Sequence, residues 1–152
     1  MKAHRKVWLF LVMILSCISA IPVPAGAEPA SPAVCTACNM SIEGQNKRFS
    51  VVDTKSTDKV AFDDIGCALL WRAEQCATKE LQFNTNAEVF DFSTGEPVAI
   101  EAASFVVDSG VKTPMGYGIV AFKDRQSAER FVAETGKGSV VPYRTLSLPK
   151  GQ

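Results

Sequence analysis

"RFSVVDTKSTDKVAFDDIGCALLW" (residues 48–71) and "SFVVDSGVKTPMGYGIVAFKDRQSAERFVAE" (residues 104–134) share one pattern of elements. In the first stretch a β-branched and aromatic run at 49–53 gives way to a polar turn. A second run ends in Val60-Ala61-Phe62, and Asp63 or Asp64 then stands where a helix N-cap belongs. The second stretch repeats the order: a strand at 105–108, a longer turn, Ile119-Val120-Ala121-Phe122, and a helix opened near Asp124. Val51-Val52-Asp53 aligns with Val106-Val107-Asp108, and Ala61-Phe62 with Ala121-Phe122. Each helix is followed by a further strand, one at 81–92 with Leu81, Phe83 and Val89, the other at 139–146 with Val140, Val141 and Tyr143. The pattern predicts an α+β fold of two tandem ββαβ modules, with antiparallel-rich sheets that each carry one helix. A module of about 45 residues cannot bury a sufficient core alone, so the two are expected to pack together. Their helices agree: Ala128, Phe131 and Val132 form one apolar stripe, and Ala68 with Trp71 holds the matching place in the first module.

The two copies differ in one loop. From Val52 to Phe62 is ten residues and from Val107 to Phe122 fifteen, and the difference falls in "VKTPMGYG" (111–118). Pro114 fixes one dihedral, Gly116 and Gly118 permit positive φ, and Met115 between them is expected on a tight turn with its thioether outward. Most methionines only fill apolar gaps. This one gains interest from its counterpart near the start of the chain, "VCTACNMSI" (34–42), which brings Cys35, Cys38 and Met40 within six residues.

Upstream of that motif the composition changes. Lys2, Arg5 and Lys6 form a basic start, Val7 to Leu15 is an unbroken apolar run, and Pro22, Pro24 and Ala25-Gly26-Ala27 follow. Residues 1–27 read as an export signal cut before Glu28, too short for a membrane span, with 28–34 a Pro/Ala/Ser linker. Ile14-Leu15-Ser16-Cys17 also resembles a bacterial lipobox, in which case Cys17 would carry a lipid anchor; both fates place the folded part in the periplasm. The first module then covers 35–92 with the Cys site, and the second 93–152 with the Met-Gly loop. Loss of the leader removes the single histidine, His4, and three of the sixteen Lys and Arg, which leaves thirteen against sixteen Asp and Glu. With no basic stripe, nucleic acid and anionic membrane are not expected partners.

Cys-x-x-Cys has several chemical readings. Haem attachment needs His after the second Cys, and position 39 is Asn. Structural zinc wants four regularly spaced ligands, and Cys67 and Cys76 offer neither a two-residue spacing nor a histidine. A thiol–disulfide oxidoreductase places the motif at a helix N-terminus after a strand, whereas here it follows the linker. A disulfide staple is the plain alternative for an exported protein. The donor set favours Cu(I), a soft ion that selects thiolate and thioether, with Cys35, Cys38, Met40 and Met115 as ligands. Cys67 reads as a small buried core thiol, with a third copper thiolate or a bridge to Cys76 as alternatives. On one continuous helix those two cysteines would stand roughly 13 Å apart, too far to bridge. Asp63-Asp64 reads as a helix start, and Phe62, Trp71 and Tyr117 as packing. No imidazole base, Ser/His pair or phosphate loop points to an enzyme.

Cys35-Thr36-Ala37-Cys38-Asn39-Met40, "FDDIGCALLW", Thr94-Gly95, "IEAASFVV", "TPMGYGIVAF" and "GSVVPYRTL" together resemble the NosL family of exported copper chaperones. The likeness runs from about Cys35 to Leu146. It implies two ββαβ modules, Cu(I) binding, and delivery to nitrous-oxide reductase alongside an ABC transporter of its maturation machinery. Position by position it implies Cys35, Cys38 and Met40 as the CxxCxM element and Met115 as the methionine of the Met-Gly loop. Many relatives have Gly where Asn39 stands, and some have His-Asp-Met where this chain reads Phe90-Asp91-Phe92, which removes a nitrogen donor and a thioether.

Overall fold

The computed structural model describes residues 33–53, 60–76 and 87–148. The leader, Cys17, most of the linker, and Leu81 and Phe83 lie outside them, as does the side chain of Cys76. In chain order, β1 (Ala33–Val34) and β2 (Ser41–Ile42) form a hairpin around the Cys motif, and a 3-10 turn covers Gly44–Phe49. β3 (Val51–Val52), β4 (Ala61–Phe62), helix α1 (Ile65–Cys76), β5 (Glu88–Phe90) and β6 (Pro97–Ala99) follow. β7 (Ser104–Val107), β8 (Val120–Phe122), helix α2 (Arg125–Thr135), β9 (Ser139–Pro142) and a closing 3-10 turn at Tyr143–Thr145 complete the fold. The larger sheets run β4-β3-β5-β6 and β8-β7-β9, antiparallel throughout. This is the α+β class that the sequence pattern predicts.

Both helices begin where their aspartates promise. The Asp64 carboxylate accepts the Gly66 amide at 2.8 Å, and Asp124 accepts the Ser127 amide at 2.7 Å, each meeting a donor that the first turn leaves without a partner. Helix α2 stops at Gly136, whose left-handed φ of 65° lets its amide reach the Val132 carbonyl.

Strand ends depart from the sequence reading for local reasons. Residue 49 belongs to the 3-10 turn, and the last strand ends at Pro142, which has no amide to extend the ladder. β6 was not evident from the sequence, because Pro97 opens it and its residues remain largely outside the core. It pairs with β5, so the first sheet draws a strand from beyond residue 92. The hairpin registers also differ. Val51 pairs with Phe62, but Val106 pairs with Val120 rather than with its aligned partner Phe122. A shift of two residues keeps every side chain on its face.

The second sheet is buried on both sides. Phe105, Ala121 and Val141 face a core that includes Val51, Phe62, Ile65 and Val89 of the first module, while Val106, Val120, Phe122 and Val140 pack with Ala128, Phe131 and Val132 of α2. That explains why "SFVV" and "IVAF" lack the polar alternation of a half-exposed strand. Phe92 joins the α2 side, its ring 5.9 Å from Phe49 and 5.7 Å from Phe131.

Asp91 fastens the two sheets at their seam. Its Oδ1 accepts the Ser93 and Thr94 amides at 2.9 Å, and its Oδ2 accepts the Lys123 amide at 2.8 Å. Beside it the Phe92 amide bonds the Ala121 carbonyl. Burial works against the carboxylate, but these amides outweigh it and hold Asp91 below the usual carboxylate range.

Candidate metal centre

The Cys motif is the loop of the β1–β2 hairpin. The Cys35 amide donates to the Met40 carbonyl at 2.8 Å, and the Asn39 amide to the Cys35 carbonyl at 2.9 Å. Closing so tight a loop puts Asn39 at φ 62°, a left-handed conformation that asparagine tolerates better than most residues. The loop is then pinned to β4. Thr36 donates its amide to the Ala61 carbonyl at 2.7 Å, and its hydroxyl accepts the Ala61 amide at 3.2 Å. This exchange sets Cys35 and Cys38 beside the residues that follow β4, Asp63 first among them.

Four donors meet there. One ligand atom each from Cys35, Cys38, Asp63 and Cys67 lies within 4.8 Å of the other three. Cys35, Asp63 and Cys67 are buried and Cys38 is half-buried, which leaves the Cys38 side as the approach. The Cys38 thiol donates to Asp63 Oδ1 at 3.4 Å. Asp63 Oδ2 is buried and has no hydrogen-bond partner. Such an orphan is costly in a protein interior and marks a place where a proton or an ion belongs.

Burial pushes the Cys38 thiol up to about 11, helped by its neighbours Cys35 and Asp63 and opposed by a backbone bond at Met40. Cys67 is raised further, by burial and then by the negative charges of Asp63 and Cys35. Both shifts favour the protonated thiols, so a metal must displace their protons to bind. Three thiolates around one ion at a bond length of roughly 2.3 Å would stand about 4 Å apart, within the spacing observed.

The longer loop of the second module docks next to this cluster. Asp64, whose Oδ1 caps α1, uses Oδ2 to accept the Thr113 hydroxyl at 2.5 Å and the Met115 amide at 3.0 Å. Within the loop the Gly116 amide closes a turn onto the Thr113 carbonyl, with Pro114 and Met115 at its centre. Tyr117 packs closely against the start of α1, where only glycine fits: a Cβ on Gly66 would fall 2.0 Å from Tyr117 Cγ. Burial raises the Tyr117 phenol, and the charges of Cys67, Asp64 and Cys38 add to the rise, so the ring borders the cluster.

Of the residues expected as ligands, Cys35 and Cys38 come together in the cluster. Met40 and Met115 both present exposed side chains, at 45% and 41%. Met40 is on the Cys hairpin, and Met115 is on the turn held by Asp64. Two members were not among the expected ligands. Asp63 was hidden in its role as a helix start, and Cys67 reads first as a core thiol, with a third copper thiolate only as an alternative. Their spacing of four residues, with Asp63 next to a capping Asp64, is the signal that places both near one end of α1.

Comparison with known proteins follows the same line. The NosL family model matches residues 27–148. Among solved structures, the copper chaperone NosL from Shewanella denitrificans is similar at a TM-score of 0.56 and 23% identity, covering 85% of this chain and 99% of that one. The likeness shows a shared fold. No protein with a curated description matches.

Proposed function

The chain belongs to the NosL family, and on that premise we propose that it is a periplasmic Cu(I) chaperone and not an enzyme, handing copper to an exported copper enzyme, nitrous-oxide reductase, or to its transporter machinery. The observation that carries this reading is the cluster of three thiols around Asp63. Soft donors select Cu(I), and two or three sulfurs satisfy it. Cys35 and Cys38 hold the ion, with Cys67 within reach. Met40, on the Cys hairpin, and Met115, on the turn held by Asp64, carry exposed thioethers that can take part in capture and release. Low coordination leaves room for a ligand of the recipient to attack, so the ion passes by associative exchange. Export rests on the basic and apolar character of residues 1–27, or on lipidation of Cys17.

A competitive Cu(I) titration of the reduced protein against a chromophoric chelator tests the assignment. One-to-one binding that protects at least two thiols is expected. Cys35→Ser or Cys38→Ser should abolish tight binding, while Met115→Ala should weaken it by about tenfold (about 1.4 kcal/mol) and speed release. Full affinity in Cys35→Ser would overturn the reading. The thiol–disulfide oxidoreductase alternative needs a lowered thiol pKa, and Cys38 is shifted the other way. Absence of metal-free insulin reduction would dispose of it.

A further inference from the structure

Away from the metal cluster, α1 shares in a second concave site. A cavity of about 250 Å³ lies between the middle of α1 and the closing segment of the chain, with Leu69, Leu146 and Leu148 as its apolar lining and Arg72 and Arg144 as its charged one. Leu69 and Leu146 are buried members of the main core, and Leu148 packs half-buried against it. The apolar part of the cavity is thus a rigid edge of the core and not a loose surface patch.

The cavity carries charge of one sign. Among the described residues no carboxylate lines it, and neither arginine forms an ion pair. Arg72 is half-buried, its guanidinium carbon 6.0 Å from the centre of the Tyr143 ring. That cation–π contact positions the group and uses none of its five N–H donors. Arg144 is exposed at the other side of the cavity. Planar guanidiniums beside apolar surface match a carboxylate that stands next to an apolar side chain.

Size and charge choose among the carriers of such a carboxylate. A volume of about 250 Å³ falls below the roughly 300–1,000 Å³ of sites that enclose a small molecule, and suits one anchor side chain of a larger partner. Recognition of anionic lipid takes a cluster of roughly four to eight basic residues, which this cavity does not supply. Protein interfaces, in contrast, are enriched in arginine around an apolar centre.

We propose that this cleft docks an acidic segment of a protein partner, with a leucine-like side chain in the cavity and a neighbouring carboxylate on Arg72 and Arg144. The site shares no residue with the metal cluster. Arg72 nevertheless follows Cys67 by only five residues on α1, roughly 7.5 Å of helix rise, so a partner anchored here is held beside the cargo. The inference does not require that cargo to be copper.

The test follows the amide shifts of the reduced full chain by NMR as an acetylated, amidated peptide of alternating leucine and glutamate is added. The same peptide with lysine in place of glutamate, and vesicles of phosphatidylglycerol, are titrated in parallel. Saturable shifts centred on Arg72, Ala73, Arg144 and Leu146 are expected with the acidic peptide alone, weakened at least about threefold between about 50 mM and about 300 mM salt. Arg72→Gln combined with Arg144→Gln should lower that affinity at least about tenfold and leave Cu(I) affinity within about twofold. The comparison of the two peptides on the wild-type chain is independent of any variant. Absence of binding, equal binding of the lysine peptide, or unchanged affinity in the double variant would overturn the inference. Vesicle binding at the same amides would overturn it in favour of a membrane surface. A wild-type chain that binds the acidic peptide but no Cu(I) would instead overturn the function proposed above and leave this inference standing.

Discussion

Asn39 shows how one backbone angle holds a metal loop together. Its φ of 62° lets the chain reverse between Cys38 and Met40 while the Cys35 amide and carbonyl both stay bonded within the loop. Glycine adopts that angle freely and a β-branched residue does not. Asn39→Gly is therefore expected to fold with a midpoint close to wild type. Asn39→Val should cost about 1–2 kcal/mol, read by denaturant unfolding of the metal-free protein. Asp63 teaches the opposite lesson about legibility. In a sequence, two adjacent aspartates before an apolar helix look interchangeable. Only the fold distinguishes the one whose two oxygens bond Gly66, Thr113 and Met115 from the one that meets the Cys38 thiol with Oδ1 and leaves Oδ2 without a partner.

At the scale of elements, the connection that matters runs from the start of α1 to the 111–118 loop. Asp64 serves both at once, so its removal should uncap the helix and free the loop together. Burial raises its carboxyl, while the bonds from Thr113, Gly66 and Met115 pull it back. Asp64→Ala is expected to cost about 2 kcal/mol, an N-cap contribution plus the lost loop bonds. It should also raise hydrogen exchange at the Met115 amide, which a pure capping defect would leave protected. Gly66→Ala tests the other half of the dock. Its methyl would overlap the Tyr117 ring, so the loop must lift, and faster Cu(I) release with α1 intact is the expected outcome. The elements themselves were largely legible, because hairpin, helix and N-cap signals agreed in both modules. The dock was not, since Gly66 and Tyr117 are 51 residues apart and neither carries a local signal of the other.

Across the whole molecule, Asp91 and Phe92 tie the first sheet to β8 of the second. Because amide donors hold the Asp91 carboxyl below the ordinary value of about 3.9, the folded state binds this proton less readily than the unfolded chain does. Its contribution is complete above the unfolded pKa and is lost as pH falls through the lower folded value. Asp91→Asn should cost about 2 kcal/mol at neutral pH and flatten the acid limb below the ordinary carboxylate range, measured by denaturant unfolding as pH is lowered. The seam was invisible in the sequence because Asp91 stands between two phenylalanines in what reads as ordinary strand. The two-module plan was visible because each module states it independently.

The three sulfurs of the cluster have a further consequence, which is one of parity. Disulfides consume thiols in pairs, and three is odd. Whichever two of Cys35, Cys38 and Cys67 join under an oxidant, the third is left within 4.8 Å of the spot where the new bond forms. A thiol in that position can attack the bond, so the crosslink can migrate among three arrangements without an outside reductant. Mild oxidation followed by alkylation and peptide mapping should therefore yield a mixture of linkages rather than one, each with a single alkylated member of the trio. A trio of sulfurs that pairs only within itself keeps one of them ready for the next metal.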